Sequence, residues 1–431
     1  MKSGFDVAIV GAGLAGMSAA VYAGGRGLET VQVGNAGALL FSSGLMDLMA
    51  VHPVGERSSW SDPWAAVAAV SRDIPGHPYA KASPASIRTG FTELIAALGE
   101  AGLAYAPTGD ENCEVVTGIG TVKTTYCVPQ SMLAGVAALR SRVPCLLVDF
   151  TGLREFSARG ISETLAGRWP GLRTLRVDFP VTGVVGEVYA AHVARALELT
   201  ERRRAFAALV RPHVRDAQAV GLPAVLGIRR TELIVAELSE ALGVPVFEIP
   251  TMPTSVPGLR LKEAMERAVA VRGVRRIVHA RVVAVVPEAD GFALYLDERG
   301  TTVPPIKARA VVLATGRFMG GGLVADRSRV REALMSLPVT QPSGRGSWHR
   351  DELLDPRGHP LSLAGLEVDD HFRPLGEAGG VANERLYAVG TILAHQDWTR
   401  MKCGAGVAIA SAFVAVEAIR CQQAELGSSE A

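Results

Sequence analysis

The residues that constrain the fold most are the first sixteen of the chain. Asp6 to Val10 form a short apolar run, and the next six residues read Gly-Ala-Gly-Leu-Ala-Gly, which matches GxGxxG. In this pattern glycine permits a tight turn, lets a phosphate approach the main chain, and lets the helix pack on the strand. The pattern predicts a strand-turn-helix unit that binds a nucleotide or flavin phosphate at the helix start. A tight packing turn without a ligand is the alternative. The residues expected at the phosphate are Gly11, Gly13, Leu14, Ala15 and Gly16.

The end of the second predicted strand lacks the residue that usually binds an adenosine ribose. Thr30 to Val33 form this strand, and Gly34 and Asn35 follow it where a carboxylate normally accepts from the ribose hydroxyls. A charge-assisted hydrogen bond contributes about 1.5 to 3 kcal/mol, so its absence weakens the case for an adenine dinucleotide. Asn35 remains a neutral partner for a hydroxyl and is included among the expected cofactor contacts.

Two more glycine elements follow in the order expected of a flavoprotein. The apolar strand predicted at Ala310 to Ala314 ends in Thr315 and Gly316, and three adjacent glycines follow at 320–322. Such a run of glycines usually marks a close approach of the main chain. An apolar strand packed for structural reasons alone is the alternative for this element.

The last glycine element lies near the carboxyl end. A strand is predicted over Leu386 to Gly390, and a long apolar helix begins at Gly404, Ala405 and Gly406. The amino end of this helix is expected to face a flavin ring, where it stabilises negative charge. Cys403 before it is expected to be a packed small residue, and a reactive thiol at the helix start is the alternative.

The positions of strands and glycines predict an α/β protein with a Rossmann-like FAD/NAD(P)-binding flavoprotein fold and an inserted second α/β domain. The predicted nucleotide-binding domain comprises residues 1–74 and 273–425, the inserted domain comprises 75–272, and 426–431 form a frayed tail. A β-meander is predicted over 277–306. A NAD-linked reductase would need a second GxGxxG in the middle of the chain, which the sequence lacks.

Composition gives no sign of a nucleic-acid partner or a membrane span. The 431 residues carry 44 Lys and Arg against 43 Asp and Glu, so no global field favours nucleic acid. The uncharged stretch from Val7 to Gly25 is interrupted by glycines, which argues against a span. The five cysteines show no CxxC spacing, so neither a zinc ribbon nor an iron–sulfur ligand set is expected, and no signal peptide is recognised.

Several longer segments resemble the B subunit family of anaerobic glycerol-3-phosphate dehydrogenase. They are Phe41 to Leu48 (FSSGLMDL), Pro250 to Leu261 (PTMPTSVPGLRL), Gly321 to Arg327 (GGLVADR) and Cys403 to Gly406 (CGAG). The resemblance covers nearly the full length. It implies FMN as the cofactor, with FAD as the alternative, and FMN would fit the missing ribose carboxylate.

The resemblance also implies an assembly and a reaction. The chain would pair with a catalytic A subunit and a membrane-anchoring iron–sulfur C subunit, in the cytoplasm at the inner face of the cell membrane. The complex would oxidise sn-glycerol 3-phosphate to dihydroxyacetone phosphate and pass electrons to a quinone. The alternative function is a non-catalytic assembly or electron-relay subunit that docks on the A subunit.

Alcohol oxidation by a flavin requires a base near the hydroxyl and cations for the substrate phosphate. The candidates are Arg260, which follows a rigid Pro-Gly pair, Arg345 in a glycine-rich segment, and His395 after the last strand. Each has a surface or structural role as its alternative. Ser42, Ser43 and Gly44 are expected to contact the flavin phosphate or ribityl chain, or to cap a helix over 45–50.

Overall fold

The computed structural model describes residues 4–107, 109–178, 187–297 and 304–429, without the side chains of 36–38, 107 and 426–429. The strands in chain order are β1 (Phe5–Val10), β2 (Thr30–Val33), β3 (Tyr105–Pro107), β4 (Cys113–Val116), β5 (Val122–Thr125), β6 (Cys127–Pro129), β7 (Cys145–Phe150), β8 (Leu172–Val177), β9 (Ala219–Pro223), β10 (Val246–Ile249), β11 (Arg275–Ile277), β12 (Arg281–Glu288), β13 (Gly291–Asp297), β14 (Ile306–Leu313), β15 (Leu323–Ala325), β16 (Val330–Glu332) and β17 (Leu386–Ala388). The α-helices are α1 (Leu14–Gly25), α2 (Pro63–Asp73), α3 (Pro84–Glu100), α4 (Leu133–Ser141), α5 (Ala158–Leu165), α6 (Ala190–Leu197), α7 (Thr200–Val214), α8 (Thr231–Leu242), α9 (Val256–Val271), α10 (Trp398–Met401) and α11 (Gly404–Ser429).

These elements divide between two compact units. The first unit comprises Met1–Ala38, Asp47–Ala97 and Met265–Ala431, and the second comprises Leu39–Met46 and Leu98–Ala264. The sequence predicted domain boundaries at 74/75 and 272/273, whereas the two units meet at 97/98 and 264/265. In addition, residues 39–46 belong to the second unit. Both α3 and α9 run through a boundary as continuous helices, so the sequence pattern shows no break there.

Particular contacts explain where the boundaries fall. In the first unit, the Tyr22 hydroxyl donates to the Gly90 carbonyl, and the Cβ position of Gly90 lies 3.1 Å from Phe413. These contacts tie α3 to α1 and α11, so its amino-terminal part belongs to the first unit. In the second unit, the Ser255 hydroxyl donates to the Ser42 carbonyl at 2.7 Å, which holds 39–46 there.

The first unit is built on a mixed sheet. Its described strands follow the order β11-β2-β1-β14-β13-β12, and β17 also pairs with β14. Strands β11, β2, β1, β14 and β17 are parallel, whereas β12 and β13 are antiparallel. Because Val7–Val10 and Ala310–Leu313 are almost fully buried, the central strands are apolar throughout, as expected for a sheet covered on both faces.

Two Ala-rich helices pack together in the first unit. The buried face of α1 includes Ala19, Ala20 and Ala23, and that of α11 includes Ala412 and Ala415. Small side chains allow the close approach of α1 and α11. The segment Gly404–Glu425 is long and apolar enough to cross a membrane, but 61% of its most apolar window is buried inside the fold. It is therefore accounted for as a core helix.

The second unit contains a parallel sheet of the order β10-β9-β7-β8. Its strands are buried, and its core includes Trp169, Phe206 and Phe247. A parallel sheet needs helical crossovers, which α5 and α8 provide. The α/β character predicted for this region is confirmed by its parallel sheet and helical crossovers.

Two local predictions need correction, and a third lies partly outside the described residues. The helix expected over 45–50 is absent, because Met46 pairs in a β-bridge with Cys127 instead. The last strand of the predicted meander is expected over 301–306; residues 301–303 lie outside the described residues, and β14 begins at Ile306. The tail expected to fray from 426 continues α11 through Ser429, and residues 430 and 431 lie outside the described residues.

Candidate functional site

The carboxyl ends of three parallel strands meet at one edge of the first sheet. Gly11 follows β1 and donates to the Val33 carbonyl at 2.8 Å, and the Ala314 N–H donates to the Val10 carbonyl at 2.9 Å. On the other side, the Val389 N–H donates to the Leu313 carbonyl at 3.0 Å. Ligands of open α/β sheets bind outside this edge, so these strand ends define the candidate site.

Two glycines of the first motif allow the main chain to approach itself. Gly11 has φ of +119°, and a Cβ there would lie 2.2 Å from the Ala314 carbonyl oxygen. A Cβ on Gly16 would lie 2.2 Å from the Gly11 carbonyl oxygen. No side chain fits at either position, so these two glycines bring α1 against the strand ends.

Gly13, by contrast, faces open space. It is the N-cap of α1, its φ and ψ are −73° and −174°, and no heavy atom lies within 4 Å of its Cβ position. Among the described residues, no side chain caps α1 and its first turn contains no acidic residue. The N–H groups at Leu14 and Ala15 therefore belong to a helix start that the protein does not neutralise, which suits an anion. Asn35 is exposed near the end of β2.

The segment after β14 folds back on itself. Cβ atoms on Gly320 and Gly322 would lie 2.1 Å from the carbonyl oxygens of Thr315 and Gly316, so both glycines are required. The Thr315 hydroxyl is buried and has no hydrogen-bond partner within the described chain. A buried hydroxyl without a partner costs about 1 to 3 kcal/mol, so this atom fits a ligand contact.

Gly390 joins the last strand to the start of α1. Its φ is +77°, and a Cβ there would lie 2.6 Å from the Ala15 Cβ. The Gly390 N–H donates to the Ser411 hydroxyl of α11 at 3.0 Å. The structure thus brings together five predicted positions: Gly11, Ala15, Thr315, Gly316 and Gly390. An uncapped helix start and an unpartnered hydroxyl fit the phosphate and hydroxyl groups of a flavin nucleotide.

Arg317 is a site residue that sequence reasoning missed. Its buried guanidinium donates to the main-chain carbonyls of Thr391 at 2.6 Å, of Leu393 and Gln396 at 2.9 Å each, and of Ser362. Burial lowers the pKa of Arg317 to about 10, so it stays cationic at neutral pH. It therefore fixes the 390–396 segment against the end of β14 and places a positive charge there. Its position directly after the Thr-Gly pair was the available signal.

At the start of α11, other residues of the chain occupy the space next to Gly406. A Cβ on Gly406 would lie 2.0 Å from the Tyr79 hydroxyl oxygen and 2.9 Å from the Leu48 carbonyl oxygen. The Gly406 N–H donates to the Asp47 carbonyl at 2.8 Å, and Gly404 packs on Trp398. Gly406 thus serves helix packing, while a flavin contact by Gly404 and Ala405 remains a prediction. Cys403 is fully buried, and burial raises the pKa of its thiol, as expected for a packed residue.

Ser42, Ser43 and Gly44 belong to the second unit. The Ser42 hydroxyl accepts from the Gly44 N–H at 3.2 Å, and the Ser43 hydroxyl lies 3.5 Å from the Leu45 nitrogen. A Cβ on Gly44, which has φ of +78°, would lie 3.0 Å from Pro257. These hydroxyls cap turns of the loop rather than a helix, and their contact with a flavin remains a prediction.

Arg260 is part of a closed ion pair in the second unit. Its guanidinium donates to Glu248 at 2.5 and 2.8 Å and to the Gly227 carbonyl at 2.7 and 2.9 Å, and its side chain is 3% exposed. Glu248 also accepts from the Ser131 hydroxyl. Because four of the five guanidinium N–H groups have partners and the side chain is buried, the geometry favours a structural role over the predicted contact with a substrate phosphate.

The other two catalytic candidates lie in the first unit. Arg345 is exposed, and its guanidinium lies 5.9 Å from the centre of the Trp348 ring. His395 is half-buried with φ of +62°, and its Nε2 lies 2.9 Å from a Glu367 carboxylate oxygen. This hydrogen bond lowers the pKa of Glu367. A role in catalysis remains a prediction for both candidates.

A separate cleft lies at the opposite end of α1. It measures about 570 Å³ and is lined by Gly25, Arg26, Glu93, Arg272 and Glu417, among others. Arg26 pairs there with Glu93 and Glu417. Because Gly25 is the last residue of α1, this cleft is distinct from the strand ends that hold the candidate site.

Comparison with known proteins shows what this chain is similar to. The family model described as FAD binding domain matches residues 6–407. The anaerobic glycerol-3-phosphate dehydrogenase B subunit of Yersinia pseudotuberculosis serotype I is 31% identical over 97% of this chain and 99% of that protein. The B subunit of the same enzyme from Pectobacterium carotovorum subsp. carotovorum is 30% identical over 96% and 98%. The 3-ketosteroid delta1-dehydrogenase of Sterolibacterium denitrificans aligns over 98% of this chain and 100% of that protein, with 12% identity and a TM-score of 0.45.

These matches change one prediction and establish the family. Because the matching family model describes FAD binding, FMN is not supported as the main cofactor and FAD is favoured. The relatives cover the chain almost completely, so the resemblance of the separate motifs is confirmed at full length. The chain therefore belongs to the flavin-dependent oxidoreductases of the FAD binding domain family and, within it, to the family of anaerobic glycerol-3-phosphate dehydrogenase B subunits.

Proposed function

We propose that this chain carries the flavin of an anaerobic glycerol-3-phosphate dehydrogenase that oxidises sn-glycerol 3-phosphate to dihydroxyacetone phosphate and transfers the electrons to a quinone. The observation that carries the proposal is the similarity to B subunits over 96 to 97% of the chain. The open, uncapped start of α1 supports it, because a protein kept only for assembly needs no unneutralised helix start at Gly13. The assembly alternative is therefore not favoured.

FAD is the proposed cofactor. The N–H groups at the start of α1 would hold its pyrophosphate, as helix starts do in dinucleotide-binding folds. Asn35 takes the place of the usual carboxylate and would bond a ribose hydroxyl without charge. The Thr315 hydroxyl supplies a donor and acceptor at the strand end. When bound, the flavin accepts the two electrons of alcohol oxidation.

The chain would work within a larger assembly. We infer an A subunit that shares catalysis and an iron–sulfur C subunit that connects the complex to the inner face of the cell membrane. Support comes from the name of the relatives, which identifies each as one component of a multisubunit enzyme. The most apolar helix is largely buried in the first unit, so membrane attachment is assigned to a partner.

The first experiment identifies the cofactor. The full chain is purified with excess FAD, its absorbance between 350 and 500 nm is recorded, and the cofactor released by denaturation is identified by mass spectrometry. We expect a yellow protein that releases FAD. A protein that stays colourless with either FAD or FMN contradicts the proposal, and release of FMN alone would overturn the assignment of FAD.

The second experiment tests the reaction. The chain is co-purified with its A and C subunits and mixed with sn-glycerol 3-phosphate without oxygen. Bleaching of the flavin and formation of dihydroxyacetone phosphate are expected, followed by reoxidation when a quinone is added. A complex with bound flavin that shows no bleaching contradicts the proposed substrate.

A further inference from the structure

A short antiparallel hairpin of the first unit directly follows the glycines at 320–322. Its strands are β15 and β16, and Val324 lies opposite Arg331 in their pairing. Both of these residues are exposed, whereas their neighbours Leu323 and Val330 are buried. Because side chains alternate along a strand, the hairpin has a buried inner face and an outer face that meets solvent.

The exposed charge of this hairpin is mainly positive. Arg327 and Arg329 in its turn are exposed, and neither guanidinium has a hydrogen bond or an ion pair within the described part of the chain. Arg331 pairs with Asp326 at 3.3 Å. The carboxylate of Glu332 is buried and accepts from main-chain N–H groups that follow β16. The hairpin therefore presents three guanidinium groups and one exposed carboxylate to solvent.

The backbone of the hairpin is held in one conformation. The Asp326 carboxylate accepts from the Ser328 N–H, the Ser328 hydroxyl and the Arg329 N–H at 2.8 to 2.9 Å. The Gln341 side chain accepts from the Val330 N–H at 2.6 Å and donates to the Val330 carbonyl at 2.8 Å. A surface fixed in this way loses little conformational entropy when it binds a partner. Since Gln341 occupies the main-chain groups of Val330, recognition of the hairpin depends on its side chains.

A tight turn at 318–321, here called the Met319 turn, connects the hairpin to the candidate site. The Gly321 N–H donates to the Phe318 carbonyl at 3.2 Å. Met319 is fully exposed and Phe318 is 40% exposed. A Cβ on Gly320 would lie 2.1 Å from the Thr315 carbonyl oxygen, so the turn packs directly on the end of β14. Apolar side chains are therefore presented to solvent next to the strand end where the cofactor is expected.

The composition of this surface favours a protein partner over a lipid surface. Met, Phe and Arg are enriched where proteins bind each other, whereas Lys and Glu are depleted. Attachment to an anionic membrane by charge needs a cluster of about four to eight basic residues. The hairpin has three arginines, and one of them is paired. A rigid surface with excess positive charge selects an acidic partner by charge complementarity.

We propose that the outer face of the hairpin, together with the Met319 turn, docks an acidic surface of the iron–sulfur subunit. This rests on the proposed function, in which electrons leave the flavin toward a quinone. Arg327 and Arg329 pair with carboxylates of the partner, and Met319 enters an apolar depression between them. A partner docked there lies next to the cofactor end of β14, and a small, charged contact is typical of electron-transfer proteins.

The test measures binding of the flavin-loaded full chain to the purified iron–sulfur subunit. The double variant Arg327→Glu and Arg329→Glu reverses the charge of the turn, and Met319→Ser removes the exposed apolar side chain. Flavin content and thermal unfolding are measured first and are expected to match wild type, because all three side chains are exposed. If the double variant does not fold, Met319→Ser carries the test.

Each variant has a matched control elsewhere on the surface. The double variant Arg204→Glu and Arg211→Glu makes the same change of charge at two exposed arginines of α7 in the second unit. Leu354→Ser makes the corresponding change at a leucine of the first unit that is 83% exposed. Both controls are expected to bind the iron–sulfur subunit like wild type.

Affinity is recorded at about 0.1 M and about 1 M salt, between which the screening length falls from about 10 to about 3 Å. At the lower salt we expect Arg327→Glu with Arg329→Glu to weaken binding at least ~100-fold, because like charges then face each other. Met319→Ser is expected to weaken it about tenfold. Binding by wild type is expected to fall with salt more steeply than binding by the double variant.

The outcomes separate this docking surface from the proposed function. Bleaching of the flavin by sn-glycerol 3-phosphate, recorded with the A subunit present, tests the function and is expected to be the same in wild type and variants. A wild type that is not bleached contradicts the function, while the binding data still decide the docking surface. If wild type does not bind the iron–sulfur subunit, or if the variants bind it like their controls, the docking surface is overturned. Weaker binding only to the A subunit, or only to phosphatidylglycerol vesicles, would overturn it as well.

Discussion

The two glycine-rich helix starts of the first unit look alike in sequence but differ in what they face. At the start of α1, the Cβ position of Gly13 has no atom within 4 Å. At the start of α11, the Cβ position of Gly406 meets the Tyr79 hydroxyl at 2.0 Å and the Leu48 main chain. A glycine before a helix therefore indicates a close approach without saying whether a ligand or the protein makes it.

The difference also separates glycines within one motif. At Gly11 and Gly16, a carbonyl oxygen (of Ala314 and of Gly11, respectively) occupies the space that a side chain would need. We call these positions closed, and we call Gly13 open because no atom lies near its Cβ position. We predict that Gly11 and Gly16 serve folding and that Gly13 serves cofactor binding. Substitutions at these positions test this division.

The largest effect is expected for Gly11→Ala. The φ of +119° and a Cβ 2.2 Å from the Ala314 carbonyl oxygen would force β1 and β14 apart. We expect a loss of more than ~3 kcal/mol in the free energy of unfolding, measured by denaturant titration of the full chain. Gly25→Ala at the other end of α1 is the control, because the atom nearest to its Cβ position from outside the helix, the Arg272 Nε, lies 3.8 Å away. Equal stability of the two variants would contradict the description of Gly11 as closed.

Gly13→Asp is expected to weaken flavin binding without unfolding the protein. The backbone of Gly13 suits an aspartate N-cap, so the stability of the flavin-free chain should stay constant or rise by a few tenths of a kcal/mol. The carboxylate would repel the phosphate, and we expect flavin affinity to fall about 100-fold, or ~2.7 kcal/mol. Gly13→Asn is the isosteric control. Equal losses in the two variants would show that size, and not charge, excludes the ligand.

Gly406→Ala is expected to destabilise the fold with little effect on flavin binding, the reverse of Gly13→Asp. Overpacking against Tyr79 and Leu48 should destabilise the fold by ~1 to 3 kcal/mol, while flavin affinity changes less than about threefold. Thermal unfolding and flavin titration measure the two effects. Gly99→Ala in α3 is the control, since its Cβ position has no neighbour within 4 Å. Loss of flavin with unchanged stability would show that the start of α11 faces the cofactor after all.

The smallest effect concerns pH, because the turn that fills the start of α11 contains His77. Its pKa is about 3 when folded against 6.5 for an ordinary histidine. The stability it contributes is complete above pH 6.5 and is lost as the pH falls from 6.5 toward 3, since only the unfolded chain takes up the proton. Between pH 7.5 and 5.5 this amounts to about 1.4 kcal/mol.

The check is the difference between wild type and His77→Gln in the free energy of unfolding at pH 7.5 and 5.5. We expect the variant to lose about 1.4 kcal/mol less than wild type over this interval. His52 and His395 also act on His77, so the exposed His371→Gln serves as the control for the general titration of histidines. An identical pH dependence in wild type and His77→Gln would show that His77 is protonated in the folded protein.

Local sequence predicted the elements that depend on neighbouring residues. The strand predicted at Asp6 to Val10 is β1, that at Thr30 to Val33 is β2, and the strand expected from Leu386 is β17. Hydrophobic periodicity and the turn glycines specify such units without reference to the rest of the chain. Arg260 shows the limit of this reasoning: its rigid setting after a Pro-Gly pair was recognised, but the Glu248 that closes its ion pair was not.

The sequence by itself therefore determined the nucleotide-binding unit, the order of the glycine elements and the family, because these depend on local backbone preferences and on motifs. Only the tertiary structure decided which glycines face open space and that Arg317 binds four main-chain carbonyls. These features depend on contacts between residues far apart in the chain. Such contacts exist only once the sheet has brought the distant segments together.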